Sequence, residues 1–191
     1  MALTIGFVVI AAILCVAAAL AILSTGQLGL SGSQALERDG LARGERAPAW
    51  TLPDLDGRPW SSPPASGLQL VVFADHSLKS FPAVVAGLRA LAGHPDLRVV
   101  LLTRGTAAQA ARGLRELGLG DIPVLDGSRA LYGRYNVRVM PFAIAVDQAG
   151  RVRASSLVNH DWQVAKLAQV AGIPIGSDER PAWRRALARA H

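Results

Sequence analysis

Residues 2–23 carry no charged side chain and consist mostly of Ala, Leu, Ile and Val, an apolar run unlike anything later in the chain. At about 1.5 Å per helical residue, some 22 residues reach roughly 33 Å, so the run predicts a helix that spans a bilayer core. A cleaved signal peptide would require a basic start, a shorter apolar stretch and a small-residue cleavage site, and none of these fits. Residues 26–46 then lose any sustained apolar period and become rich in Gly, Ser and charge, which predicts a flexible tether.

The pattern changes again at Ala47. An extended stretch ends in the Asp56-Gly57 turn, with Arg58, Pro59 and Trp60 predicted to return as a strand. Residues 68–73, Leu-Gln-Leu-Val-Val-Phe, form a short, nearly continuous apolar run typical of a strand buried on both faces. Val84, Val85, Leu88 and Leu91 follow at helical spacing, stopped by Gly93-His94-Pro95. A second buried strand is predicted over 97–102, a helix capped by Thr106 and running to about Leu117, a short strand over 122–125 and a short helix over 128–135. Residues 142–152 read as strand, turn and strand, and a last helix covers about 161–170. Alternating strands and helices that finish in a hairpin and a helix predict an α/β fold, with a mixed sheet covered by helices on both faces. The predicted organisation is an anchor (1–25), a tether (26–46), one domain (47–173) and a basic tail (174–191).

Charge alters this picture little. The net charge is +6, but the basic residues are almost all Arg and are scattered, with Lys79 and Lys166 the lysines. No nucleic-acid motif accompanies them, so a nucleic-acid partner is not expected. In the tail, Arg180, Arg184, Arg185 and Arg189 surround Trp183 and Leu187 at helical spacing. That suits a terminal helix packing Trp183, or a basic amphipathic helix lying on a membrane. Arg38, Arg43 and Arg46 follow the apolar run and none precedes it, so positive-inside counting points the domain toward the cytoplasm.

The segment Tyr135-Asn136-Val137-Arg138-Val139-Met140-Pro141-Phe142, continuing through Val146-Asp147 and the turn to Val152, resembles the thioredoxin-superfamily stretch in which a cis-proline opens a hairpin strand. With the apolar start, the Ala47-Pro48 opening and the Leu157-Val158-Asn159 triplet, the chain resembles the membrane-anchored redoxins of the TlpA class, in particular the MauD type of methylamine utilisation. The resemblance implies a thioredoxin-like sheet, a cis Met140-Pro141 bond beside a substrate groove, and an extracytoplasmic domain, against the charge count. It also implies a family role in forming or reducing disulfides of exported proteins.

The sulfur for that role is missing. Dithiol exchange needs an attacking thiolate and a resolving cysteine, and the chain has one cysteine, Cys15, within the apolar run. The family's Cys-x-x-Cys lies between the first buried strand and a helix carrying a proline, which maps to residues 73–82 here. Counting back from Pro82 puts Ala74 and Ser77 at the cysteine positions, whereas counting forward from Phe73 puts Leu78 and Phe81 there. The two disagree because the loop is shorter than usual, so Ala74, Asp75, His76, Ser77 and Leu78 read as a degenerate active-site loop. A relay among adjacent Asp75, His76 and Ser77 is disfavoured by geometry, and Asp75 or Ser77 reads more simply as a helix cap. His76, His94 and His160 lack metal-ligand spacing, and neither metal nor cofactor is expected. The leading expectation is a non-catalytic binding or assembly factor for exported polypeptides that uses the groove at Met140 and Pro141. A redox protein working with a partner's cysteines and a structural subunit of a membrane complex are the alternatives.

Overall fold

The computed structural model describes residues 39–174 apart from Ala92 and Thr106. The apolar run with Cys15, most of the tether, the Thr106 cap and the basic tail therefore lie outside the described residues. Among the described residues no helix is long and apolar enough to cross a membrane.

Strand β1 (Trp50–Pro53) pairs antiparallel with β2 (Pro59–Ser62). Asp54 shapes the turn between them, its Oδ1 accepting the amides of Asp56 and Arg58 at 2.9 Å each. The domain continues with β3 (Leu68–Phe73), α1 (Phe81–Arg89), β4 (Leu97–Thr103), α2 (Ala107–Glu116), β5 (Val124–Asp126), α3 (Arg129–Arg134), β6 (Phe142–Asp147), β7 (Val152–Leu157) and α4 (Asp161–Ala171). These strands form a five-stranded sheet ordered β5-β4-β3-β6-β7. The β3–β4 and β4–β5 pairs are parallel, whereas β6 runs antiparallel to both β3 and β7. The expected mixed sheet is present, and most expected strand and helix boundaries fall within a few residues of their elements, although β7 begins at Val152, where the hairpin was expected to end, and runs on to Leu157.

Because side chains alternate along a strand, β3 supplies two cores. Leu70 and Val72 pack with Val84 and Leu88 of α1, Leu114 of α2 and Leu167 of α4. Val71 and Phe73 point the other way, into a cluster with Trp50, Leu102, Tyr132 and Tyr135. The Phe73 ring meets Tyr132 edge-on, with centroids 5.0 Å apart, and lies 5.2 Å from Tyr135. Such pairs add about 0.5–1.5 kcal/mol beyond their buried area. Burial on both faces explains why β3 and β4 appear in the sequence as apolar runs rather than as alternating patterns.

Helices α1 and α4 approach closely at Gly87. A Cβ there would lie 2.7 Å from the Asp161 carbonyl oxygen and 2.9 Å from Val164 Cβ. Gly87 thus sets the spacing of the two helices.

The domain begins earlier than its apolar pattern suggests. The Gly40 amide donates to the Asn136 carbonyl at 2.8 Å, Gly44 to Val152 at 2.8 Å, and Val152 returns a bond to Glu45 at 2.9 Å. Residues 40–46, expected as the end of the tether, are therefore hydrogen-bonded to the domain. Their backbone does the binding, covering part of the outer edge of β7, and backbone pairing leaves no hydropathy signal.

Candidate functional site

The candidate site lies where the carboxyl ends of β3 and β4 meet the amino end of β6. Phe73 pairs with Phe142, so the next residue outward on each strand, Ala74 and Pro141, opens the loop region at the same end of the sheet. The Met140-Pro141 bond is cis, as the resemblance implied, and a second cis bond, Ser62-Pro63, was not anticipated. The Pro141 carbonyl accepts from the Val158 amide at 3.0 Å, which ties the start of β6 to the end of β7.

Ahead of Pro141 the chain is open. Val139 is 48% exposed, and Met140 is half-buried against the Phe73 cluster. Among the described residues, neither the Val139 nor the Met140 backbone has a hydrogen-bond partner. Just before them, Asn136 adopts a φ of 53°, a left-handed turn that asparagine tolerates better than most residues.

The loop from Ala74 to Ser80 is closed on itself. Ala74 is fully buried and extends the β3–β4 ladder by donating its amide to the Leu102 carbonyl at 3.1 Å. Asp75 Oδ1 accepts both the amide and the hydroxyl of Ser77, each at 2.9 Å, and faces His76 Nδ1 at 3.3 Å. Leu78 packs against the first core, and its carbonyl accepts the Phe81 amide at 2.9 Å.

This geometry corrects the expectation of a cap. Ser80, not Asp75 or Ser77, occupies the N-cap of α1, and its side chain makes no capping bond. Asp75 caps its own turn because two donors two residues ahead are within closer reach than the helix end. The geometry also removes the triad on physical grounds. A nucleophile needs a base on its hydroxyl, whereas Ser77 gives its proton to Asp75 Oδ1, the same oxygen that His76 Nδ1 faces.

The two mappings of the cysteine positions acquire a physical meaning. Ala74 lies in the core and Phe81 is 2% exposed at the first turn of α1, while Ser77 and Leu78 lie in the loop between. Among the described residues, no group of three or more His, Cys, Asp and Glu side chains could hold a metal. His94 sits beyond α1, where its Nδ1 accepts the Asp96 amide at 3.3 Å, and His160 sits at the N-cap of α4.

The sequence did not single out Arg104 or Tyr132. The Arg104 guanidinium lies 4.2 Å above the Tyr132 ring and reaches the Val137 carbonyl, bracing the chain that leads to Met140. Tyr132 donates its hydroxyl to the Leu102 carbonyl at 2.9 Å. Burial first, then the Asp75 and Asp126 charges, push its phenol well above the ordinary tyrosine range, with Arg104 opposing them. No local motif marks this pair, since the two residues lie on different elements.

No protein-family model matches the chain. Over 128 residues it is 27% identical to methylamine utilization protein MauD of Methylophilus methylotrophus, a stretch covering 65% of this chain and 60% of MauD. The match thus spans less than two thirds of that relative. The thioredoxin domain of a thiol-disulfide oxidoreductase from Bacteroides vulgatus superposes with a TM-score of 0.56 at 19% identity, covering 66% of this chain and 97% of that one. A thiol:disulfide interchange protein of the thioredoxin family from Chlorobium tepidum gives 0.55 at 18%, covering 71% and 99%. A peroxiredoxin-like protein from Aquifex aeolicus gives 0.55 at 14%, covering 70% and 90%. The domain has a thioredoxin-like fold, similar in sequence to MauD, in a chain with a single cysteine and hence no Cys-x-x-Cys motif.

Proposed function

We propose that this chain is a binding or assembly factor that takes up an extended polypeptide along Val139, Met140 and Pro141 and does not itself exchange disulfides. The observation that carries the reading is exposed Val139 and half-buried Met140, whose backbones have no partner among the described residues, beside a loop whose polar groups satisfy one another. An extended chain laid there would gain main-chain hydrogen bonds and contact with Val139, the mode by which strands add to an open edge. Chemistry on a disulfide would need a thiolate at that spot, and the residues there are Ala74, Asp75, His76, Ser77 and Leu78. In this reading residues 2–23 hold the domain to a membrane, with the domain on the extracytoplasmic side among exported polypeptides. Their length and lack of charge support the anchor.

The test uses the full chain in a neutral maltoside detergent. An extended, uncharged peptide of alternating Thr and Val is expected to bind, and Val139→Pro, which removes one backbone donor and leaves the exposed position apolar, is expected to weaken it. Dithiothreitol-driven insulin reduction is expected to run at the buffer rate. Reduction above buffer would make the protein an enzyme and overturn the reading. Thioredoxin-like neighbours that are thiol-disulfide oxidoreductases favour the second reading, in which a partner supplies both sulfurs. That version predicts turnover only when the partner is added.

A further inference from the structure

A second concave site lies at the other end of the sheet. It has a volume of about 410 Å³ and is lined by Arg58, Pro59, Trp60, Ser61, Pro63 and Arg98, together with Ala65. Arg98 is the second residue of β4, in register with Gln69 of β3, whereas Pro141 lies beyond the last residue of β3. Four residues of strand, roughly 13 Å, separate Gln69 from Phe73.

The walls are held from behind. The Trp60 indole donates to Asp54 Oδ2 at 3.0 Å, which fixes the ring, and the Arg98 guanidinium lies 5.7 Å from the ring centroid. Gln69, 1% exposed, donates its Nε2 to the Ser61 carbonyl at 3.1 Å and so pins β2 over the start of β3. Asp54, which holds the indole, does not line the pocket, and its oxygens already accept the indole and two turn amides. Those bonds, the indole first, hold its carboxyl below the usual range, with Arg58 contributing least. Among the described residues, neither Arg58 nor Arg98 forms an ion pair.

We propose that this pocket binds an acidic segment of a partner polypeptide, taking a carboxylate between the Arg58 and Arg98 guanidinia and a neighbouring apolar side chain against Trp60 and Pro63. Two guanidinia without an ion pair among the described residues favour an anion, and their planar forks suit a carboxylate. The indole and proline walls favour an apolar body attached to it, which a free inorganic ion lacks. The concavity, larger than an ion requires, favours an inserted side chain over a flat lipid surface.

The probes are a fluorescein-labelled Gly-Asp-Phe-Glu-Gly peptide, its Asn/Gln counterpart and vesicles of phosphatidylglycerol, each added to the full chain in maltoside or, for vesicles, reconstituted. The acidic peptide is expected to bind, and the amide counterpart to bind at least about tenfold more weakly, the scale of one charge-assisted contact. Arg98→Gln is expected to cost a similar factor. Arg98→Lys, which keeps the charge and loses the stacked fork, is expected to cost less, and Arg112→Gln on the exposed side of α2 nothing. Far-ultraviolet circular dichroism of each variant checks the fold. Equal binding by the Arg98→Gln and Arg112→Gln proteins would overturn the proposal, as would Arg98-dependent binding to vesicles without binding to the peptide. The Val139→Pro substitution acts on the uncharged peptide alone, so this site and the groove at Pro141 fail or survive separately.

Discussion

The buried hydroxyl of Tyr135 offers the sharpest test of the packing. It is fully buried, accepts the Trp50 indole at 2.9 Å, donates toward the Pro48 carbonyl at 3.2 Å and lies 3.5 Å from Ser62 Oγ. One oxygen thereby joins the opening segment and the end of β2 to α3, whose C-cap is Tyr135. Tyr135→Phe keeps the ring against Phe73 and removes that oxygen. The loss is about 1 kcal/mol for the net hydrogen bonding, plus about 1–3 kcal/mol for an indole donor left buried. Trp50 is 9% exposed, so water is poorly placed to replace the acceptor. The expected destabilisation is about 2–4 kcal/mol, read as a fall of roughly 1–2 M in the urea midpoint followed by tryptophan fluorescence. A second readout depends on charge. Burial, the largest cause, raises the Tyr135 phenol despite its bonds to Ser62 and Trp50, and burial raises Tyr132 as well. Unfolded tyrosine loses its proton near pH 10, at about its model value, while the folded phenols keep theirs. Their contribution is therefore intact below about pH 10 and is lost as the pH rises, at up to about 1.4 kcal/mol per unit for each phenol. Tyr135→Phe removes one of the two, so its stability should fall less steeply above pH 10. A variant as stable as the parent, or one with an unchanged alkaline slope, would refute the argument.

Three further outcomes follow from the same geometry. Gly87→Ala improves helix propensity by about 1 kcal/mol, yet its Cβ meets the Asp161 backbone at 2.7 Å, so a net loss of about 1–3 kcal/mol is expected in urea unfolding. Gln69→Leu loses one bond to a carbonyl on exposed Ser61 but also removes Gln69 Oε1, a buried acceptor without a partner among the described residues. Its stability should be unchanged or up to about 2 kcal/mol higher, and a loss beyond 1 kcal/mol would show that Oε1 is paired in solution. Cysteines at Ala74 and Ser77 should leave insulin reduction near the buffer rate, because position 74 is fully buried and both positions precede the first turn of α1. A thiol there lacks the helix end that lowers its pKa, so only about 3% is thiolate at pH 7 before burial lowers that further.

Much of the fold is written locally. The run Leu-Gln-Leu-Val-Val-Phe is apolar because β3 is buried on both faces, and Ser128 precedes a short helix because its hydroxyl accepts the Leu131 amide at 3.2 Å. These signals are carried by neighbours in the chain, so periodicity and composition display them. The lack of a second cysteine is likewise plain from the residues alone. Long-range placement decided the rest. The docking of residues 40–46 uses backbone groups that every residue carries, the self-closure of Asp75 depends on which donor is nearer, and Arg104 meets Tyr132, 28 positions later in the chain, only because β4 and α3 pack together. The pocket at Trp60 is the same kind of case: Arg58 comes from the turn before β2 and Arg98 from β4, and nothing in either stretch of sequence records that they line one pocket. Sequence by itself determined where the chain becomes strand or helix and which atoms it lacks for dithiol chemistry. Tertiary structure alone decided which polar groups satisfy one another and which are left facing outward, because hydrogen bonds and charge pairs depend on distance in space.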